Sequence, residues 1–396
     1  MIKINLDYSE DFLTRYEKHV LTDRLLPSFL TLIATIPDED RQLVSTIFTP
    51  LFIRELVLCD ASELNGKIGD IYDHIHVLAE RYCLEYYLAD LDVDLSISSL
   101  NIKTNVGKSE IRAIHAQVLA DLQLISDERN SIYLPNIIAE MQATTTASVI
   151  KKQLKSLISK KQGNHNFSEE EIRLFPGWVQ ELGDLFNYGA MSQVFGHDIT
   201  NNIDLDICPY CNNEDIETIS IEGAETRPDI DHYFPKSKFP FFALTLSNLI
   251  PAGNRCNQKY KRANSMLGYV HPYIRGVGRN SLFNFNYMFD EGRHHEALDI
   301  TLFEQDDSLD ENLKLFKVKE THNKKNVKTW FLKLEERYEF LKNTDIDSLD
   351  NVLGNHDQIR IQLDVDVQQS PKTEQFQKLK VDALNMLSNR EYDIAD

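Results

Sequence analysis

The chain is poor in cysteine, with five in 396 residues, an odd number of which three stand at metal-ligand spacing. That excludes a disulfide-stapled scaffold and suits a reducing compartment, so a cytoplasmic location is expected. No run of eighteen apolar residues occurs, and the opening MIKINLDYSEDF has no apolar signal region, so neither a membrane span nor export is expected. A Walker motif is missing too. The Gly-rich GVGRNS at 276–281 lacks the strand-before, helix-after setting of a phosphate loop, so the chain is not expected to hydrolyse nucleotides itself. No repeat with a period of 20–50 residues is evident. Net positive charge is also absent: the balance is −20, which sits awkwardly with contact to a polyanion. What remains is 42% apolar and 26% charged, the composition of a globular protein with room for two or three domains.

Residues 1–165 read as a mainly helical domain. Ile68, Ile71, Tyr72, Ile75, Leu78, Tyr82, Cys83 and Tyr86 recur at helical spacing, as do Ile111, Ile114, Val118, Leu122 and later Val149, Ile150, Leu154, Leu157. The stretch 91–110 breaks the pattern as a loop or short strands. His74 and His76, two apart, do not share a helix face, and Cys59 and Cys83 read as buried thiols. The polar run KQGNHNFS at 161–168 reads as a linker, and Ser168 before three glutamates as a helix start. Residues 166–280 form a second unit, containing an acidic insert at 212–225 with a short strand at Thr218–Ile221. In 281–396 the pattern turns mixed. Strands are expected at Leu282–Phe289, Ala297–Phe303, Leu315–Val318 and across the alternating Ile359, Ile361, Leu363, Val365, Val367. Helices are expected around Val327–Leu341 and 373–390.

Chemistry concentrates in the second unit, which reads CPYC at 208–211, RPDIDHYFPKSKFP at 227–240 and LSNLIPAGNRCNQKYKR at 246–262. Hydrolysis of a phosphodiester needs an activated water, a cation on the phosphoryl oxygens and a scaffold that holds both. A neutral imidazole titrates near physiological pH, so His232 suits a base. Asp231 offers one hard oxygen and Asn257 another, enough for a magnesium ion that keeps open positions for water and substrate. Asn248 is free to bond backbone and set the imidazole's direction. Cys208, Cys211 and Cys256 suit a structural zinc, which wants four ligands. Between Arg227 and Arg279 nine Lys/Arg face two Asp, a basic patch inside an acidic protein.

Together these residues resemble the HNH (ββα-metal) endonuclease family, in the branch that braces its active site with zinc cysteines. The resemblance covers about residues 205–275. It implies an α+β fold: a small ββα-metal core with a zinc knuckle, flanked by the helical N-terminal domain and the mixed C-terminal region. It also implies His232 as general base, Asp231 and Asn257 as ligands of a catalytic Mg2+ or Mn2+, and Asn248 as the residue that orients the base. Pro235, Lys236, Ser237 and the run Asn248–Pro251 match the family's pattern. One departure stands out: the pattern places a cysteine three residues before Cys256, where this chain has Gly253. His271 is the first candidate for the missing zinc ligand, against a packing role near the end of the helix. Lys236, Lys238, Arg255, Lys259, Lys261 and Arg262 would meet phosphates, the alternative for the lysines after Asn257 being a solvated helix face.

The leading expectation is a metal-dependent endonuclease that cuts DNA. The alternative is a zinc-knuckle binding or adaptor module without catalysis. Large regions around a small core also resemble, in layout alone, bacterial anti-phage effectors of Septu-like and retron-linked systems, which pair with an ABC-type ATPase. An ATPase partner is therefore expected, with the acidic flanks as docking surfaces.

Overall fold

A computed structural model describes every residue of the chain except 94, 220, 222–225, 289–293, 345, 395 and 396. Part of the acidic insert expected as a strand at 218–221, and the end of the strand expected to reach Phe289, lie outside the described residues. Helix makes up 57% of the chain, and the sheets among the described residues are two antiparallel pairs, an α+β class. Among the described residues no helix is long and apolar enough to cross a membrane.

The N-terminal 200 residues are helical because their apolar positions recur at three and four. In the long helix Asn105–Glu128 the buried face is Ile111, His115, Val118, Leu122 and Ile125. Thr104 caps it by accepting the Gly107 N–H. The stripe from Ile68 to Tyr86 is three short helices, Leu64–Tyr72, His76–Tyr82 and Leu84–Tyr87, broken at Ile75 and Cys83 where the backbone leaves the helical region. Ser168 starts a helix as expected, and makes a capping box with Glu171. In the run 161–168 partly buried and exposed residues alternate, and its partly buried side packs on the helical domain. A Cβ on Gly163 would overlap Glu85 and Lys238, and His165 packs against Tyr133 and Phe167.

Strand β1 (Asp229–His232) pairs antiparallel with β2 (Leu249–Ala252), with Asp231 opposite Ile250 and His232 opposite Leu249. The helix Arg255–Lys261 follows directly. It is wound wide, and the Arg262 N–H reaches back five residues to the Asn257 carbonyl at 2.9 Å. The helical domain is bolted onto this unit. Tyr16 Oη donates to the Leu244 carbonyl at 2.7 Å, Thr245 Oγ1 to the Leu56 carbonyl at 2.5 Å, and Tyr72 Oη to the Lys238 carbonyl.

In the C-terminal region β3 (Phe283–Tyr287) and β4 (Leu298–Leu302) pair antiparallel, and helices run over Lys325–Thr344 and Gln377–Ser388. Two expected strands are absent. Leu315–Val318 is a helix-to-helix corner with Lys317 in the left-handed region at φ 55°. Residues 359–367 alternate in sequence, but Ile359–Leu363 is helical. Ile359 and Leu363, four apart, are buried, while Ile361 is 67% exposed. A half-buried strand would bury all three, and no described sheet edge lies alongside to pair with it. Asp364, at φ 61°, ends the helical turn.

Candidate active site and metal centre

β1 delivers Asp231 and His232 into the interior, where both are buried. The His232 Nε2 lies 3.2 Å from the Ala243 carbonyl oxygen. A carbonyl only accepts, so Nε2 carries the proton and Nδ1 keeps its lone pair. The Tyr188 ring meets the imidazole edge-on at 4.4 Å. Burial pushes the imidazole pKa down to about 4, against the opposing pull of Asp231, so His232 is neutral at physiological pH.

Asn248, fully buried, ties this corner together. Its Oδ1 accepts the Phe234 N–H at 2.7 Å, and its Nδ2 donates to the carbonyls of Phe234 at 3.0 Å and Phe242 at 3.1 Å. The turn Pro240–Phe242, pinned in this way, presents the Ala243 carbonyl to His232. Asn248 is thus linked, through one intermediate peptide, to the carbonyl that His232 contacts.

Asp231 is fully engaged by protein. Oδ1 accepts from Lys261 Nζ at 2.9 Å and Oδ2 from Tyr210 Oη at 2.6 Å, with both members of the ion pair buried. Lys261 Nζ also donates to the His232 carbonyl at 2.7 Å. Asn257 faces elsewhere: its Nδ2 meets Asp229 Oδ2 at 3.4 Å, as do the amides of Asn254 and Gln258 at 3.3 and 2.9 Å. The residues expected to hold a catalytic cation thus do not converge on one. An ammonium group sits against the carboxylate, and the second expected ligand bonds to a different acid. A Mg2+ ion does not fit this arrangement.

Three sulfurs do converge. The Sγ atoms of Cys208, Cys211 and Cys256 lie within 4.8 Å of one another and all are buried. Burial pushes the Cys208 thiol up, and the Cys256 thiol rises chiefly through its contact with Cys208; Cys211 is held down by those two thiols and by the N–H groups of Glu214 and Asn213. Three thiols with one carrying thiolate character suit a soft or borderline cation such as zinc. Tyr210, between the first two cysteines, stacks on Phe316 at 4.1 Å and holds Asp231, coupling the cysteine cluster to β1. His271 is not part of the cluster. Its ring packs on Tyr233 at 4.0 Å, Nδ1 accepts the Tyr273 N–H at 3.2 Å, and burial drives its pKa down to about 3. It is a packed core histidine, the alternative weighed from the sequence.

Next to His232 opens a cleft of about 700 Å³ whose wall includes Tyr188 and Ala243, the residues that touch the imidazole. Arg81, Lys160, Lys236 and Lys238 line it, together with His165 and Asp184. Lys238 is paired with Glu85 at 3.2 Å; Lys236 is exposed and lies over the Tyr188 ring at 5.4 Å. Of the expected phosphate contacts, only Lys236 and Lys238 reach the cleft. Lys259 and Arg262 are exposed and Arg255 half-buried on the helix outside it, while Lys261 is consumed by Asp231. Arg81, Lys160 and Tyr188 escaped the sequence reading because they come from helices far away in the chain, and no local spacing links them to Asp-His. No family model, curated protein or solved structure matches this chain.

Proposed function

We propose that the chain is a phosphodiester hydrolase acting on DNA that keeps the general base of the HNH pattern, His232, with side-chain cations of the cleft in the place that pattern gives to a metal ion. The observation that carries this reading is the tautomer: the Ala243 carbonyl takes the Nε2 proton, which leaves the Nδ1 lone pair of a neutral imidazole beside a cleft lined with cations. A base in that state can take a proton from water at neutral pH, and general-base assistance contributes about 10²–10⁴-fold. Lys236, Arg81 and Lys160 supply positive charge where a phosphate would enter, and Asn248 holds the ring direction through the Phe242–Ala243 turn. The acidic body restricts contact to this cleft. A zinc ion at Cys208, Cys211 and Cys256 would act as a brace, fixing Tyr210 and through it Asp231.

A non-catalytic binding module remains the second reading, favoured by the saturation of both Asp231 oxygens by Lys261 and Tyr210. One plasmid-nicking assay separates the two, run on the wild type and His232→Ala with Mg2+, with Mn2+ and with chelator. Nicking by the wild type that is lost in His232→Ala supports hydrolysis. DNA retention without nicking under any condition supports the module. The proposed setting, a defence effector working beside an ABC-type ATPase, is tested by co-purification with the product of a neighbouring ATPase gene.

A further inference from the structure

The three-sulfur cluster lacks a fourth donor, and the residues around Gly253 point to a carboxylate. Gly253 stands where the resemblance would place a cysteine. A Cβ built there would overlap the side-chain Cδ and Oε2 of Glu214, so the carboxylate of Glu214 already fills the space that a side chain at 253 would use. No positive φ demands glycine at this position; the demand is for room. The backbone ties Glu214 to the cluster as well: the Cys208 N–H donates to the Glu214 carbonyl at 2.8 Å.

The state of the carboxylate is the second, independent observation. Oε1 accepts the Arg255 N–H at 3.3 Å, whereas Oε2 is buried and makes no hydrogen bond; it meets Arg255 Nε only at 3.9 Å. A buried carboxylate oxygen without a partner is costly, on the order of 1–3 kcal/mol or more for a charged group. Such an atom is usually explained by an ion or water. Zinc accepts Asp or Glu oxygens as well as sulfur, and a structural site wants four ligands.

We propose that Glu214 is the fourth ligand of a structural metal site with Cys208, Cys211 and Cys256, a Cys3Glu zinc centre in which Glu214 and Gly253 together replace the cysteine of the sequence pattern. The carboxylate oxygen lies outside the mutually close set of sulfurs, so binding requires a side-chain rotation of Glu214. Arg255 then balances part of the negative charge of three thiolates and a carboxylate. The centre is independent of whether the chain cuts nucleic acid, and its test uses no activity.

The full-length chain is loaded with zinc, its content measured by elemental analysis and its affinity by competition with a chromophoric chelator. Cobalt-loaded protein reports the number of thiolates through its sulfur-to-metal charge-transfer band. The wild type should hold one metal with the band of three thiolates. Glu214→Gln, which keeps the shape, should lower the affinity at least about tenfold, the lower end of what loss of an orienting partner alone costs. Glu214→Ala with Gly253→Cys should restore affinity and raise the band by one third, to four thiolates. Three results would each overturn the assignment: a wild type that takes up no metal, Glu214→Gln with unchanged affinity and spectrum, or a double variant still showing three thiolates. So would loss of metal in His322→Ala but not in Glu214→Gln, because His322 shares a cavity with Cys211 and is the competing donor.

Discussion

Replacing Asn248 by alanine removes the acceptor of the Phe234 N–H and the donor to the Phe234 and Phe242 carbonyls, all at a fully buried position. Each lost bond leaves a backbone group unpaired, so the three together should cost roughly 3–5 kcal/mol. With an unfolding entropy of about 2.1 cal/mol/K per residue over the chain, the loss corresponds to a fall in Tm on the order of 5 °C. The effect should extend to chemistry, because the Phe242 carbonyl fixes the turn whose next carbonyl orients His232. Nicking should therefore fall at least about tenfold in Asn248→Ala even at temperatures where it is folded, since a misplacement of roughly 1 Å can cost about 10²-fold. Asn248→Asp is the sharper control. It keeps an acceptor for the Phe234 N–H but turns an oxygen toward two carbonyls, so it should be no better than alanine. Calorimetry and a single-turnover nicking assay read both effects. A Tm within about 1 °C of wild type, the scale of a neutral surface change, would show that the hydrogen bonds do not hold this corner and would refute the coupling.

Lys261→Met leaves Asp231 charged and buried, and should destabilise by about 3–5 kcal/mol; adding Asp231→Asn should recover most of it, as urea unfolding would report. If the ammonium excludes cations from Asp231, millimolar Mg2+ should raise the Tm of Lys261→Met but leave the wild type unmoved. Acid should weaken the fold early. His232, His271 and His322 have folded pKa values lowered to about 4, 3 and 4, so the unfolded chain binds protons that the native state does not. The stability they contribute is present above the unfolded value near 6.5 and is lost as pH falls below it, at a slope approaching about 4 kcal/mol per pH unit for the three. An unfolding midpoint that stays flat from pH 7 to 5 would contradict these three neutral histidines. Cleavage by His232, in contrast, should show no acid limb near pH 6.5, because the folded base stays neutral well below that; a pH–rate profile on folded protein checks this.

Local chemistry was legible in the sequence wherever it depended on neighbours along the chain. The helical periods, the helix start at Ser168, the strands at Phe283 and Leu298 and the pairing of Cys208 with Cys211 follow from side-chain spacing, whereas Cys256 was placed with that pair by the family resemblance. Alternation misled at 359–367, because a two-residue period makes a strand only where another edge supplies backbone partners, and here none does. What the fold alone decided is which groups meet across long separations. Lys261, at the end of the wide-wound helix, closes on Asp231 of β1, while Asn257, earlier in the same helix, meets Asp229 instead. Arg81 and Lys160 reach the cleft because the helical domain docks against the Asp-His unit, through Tyr16, Tyr72 and the Leu56 carbonyl that accepts from Thr245. Spacing in a sequence constrains only residues that share a turn, a strand or a helix face, whereas burying one surface against another is a property of the whole chain, and that burial decided whether Asp231 holds a cation from solvent or a lysine of its own.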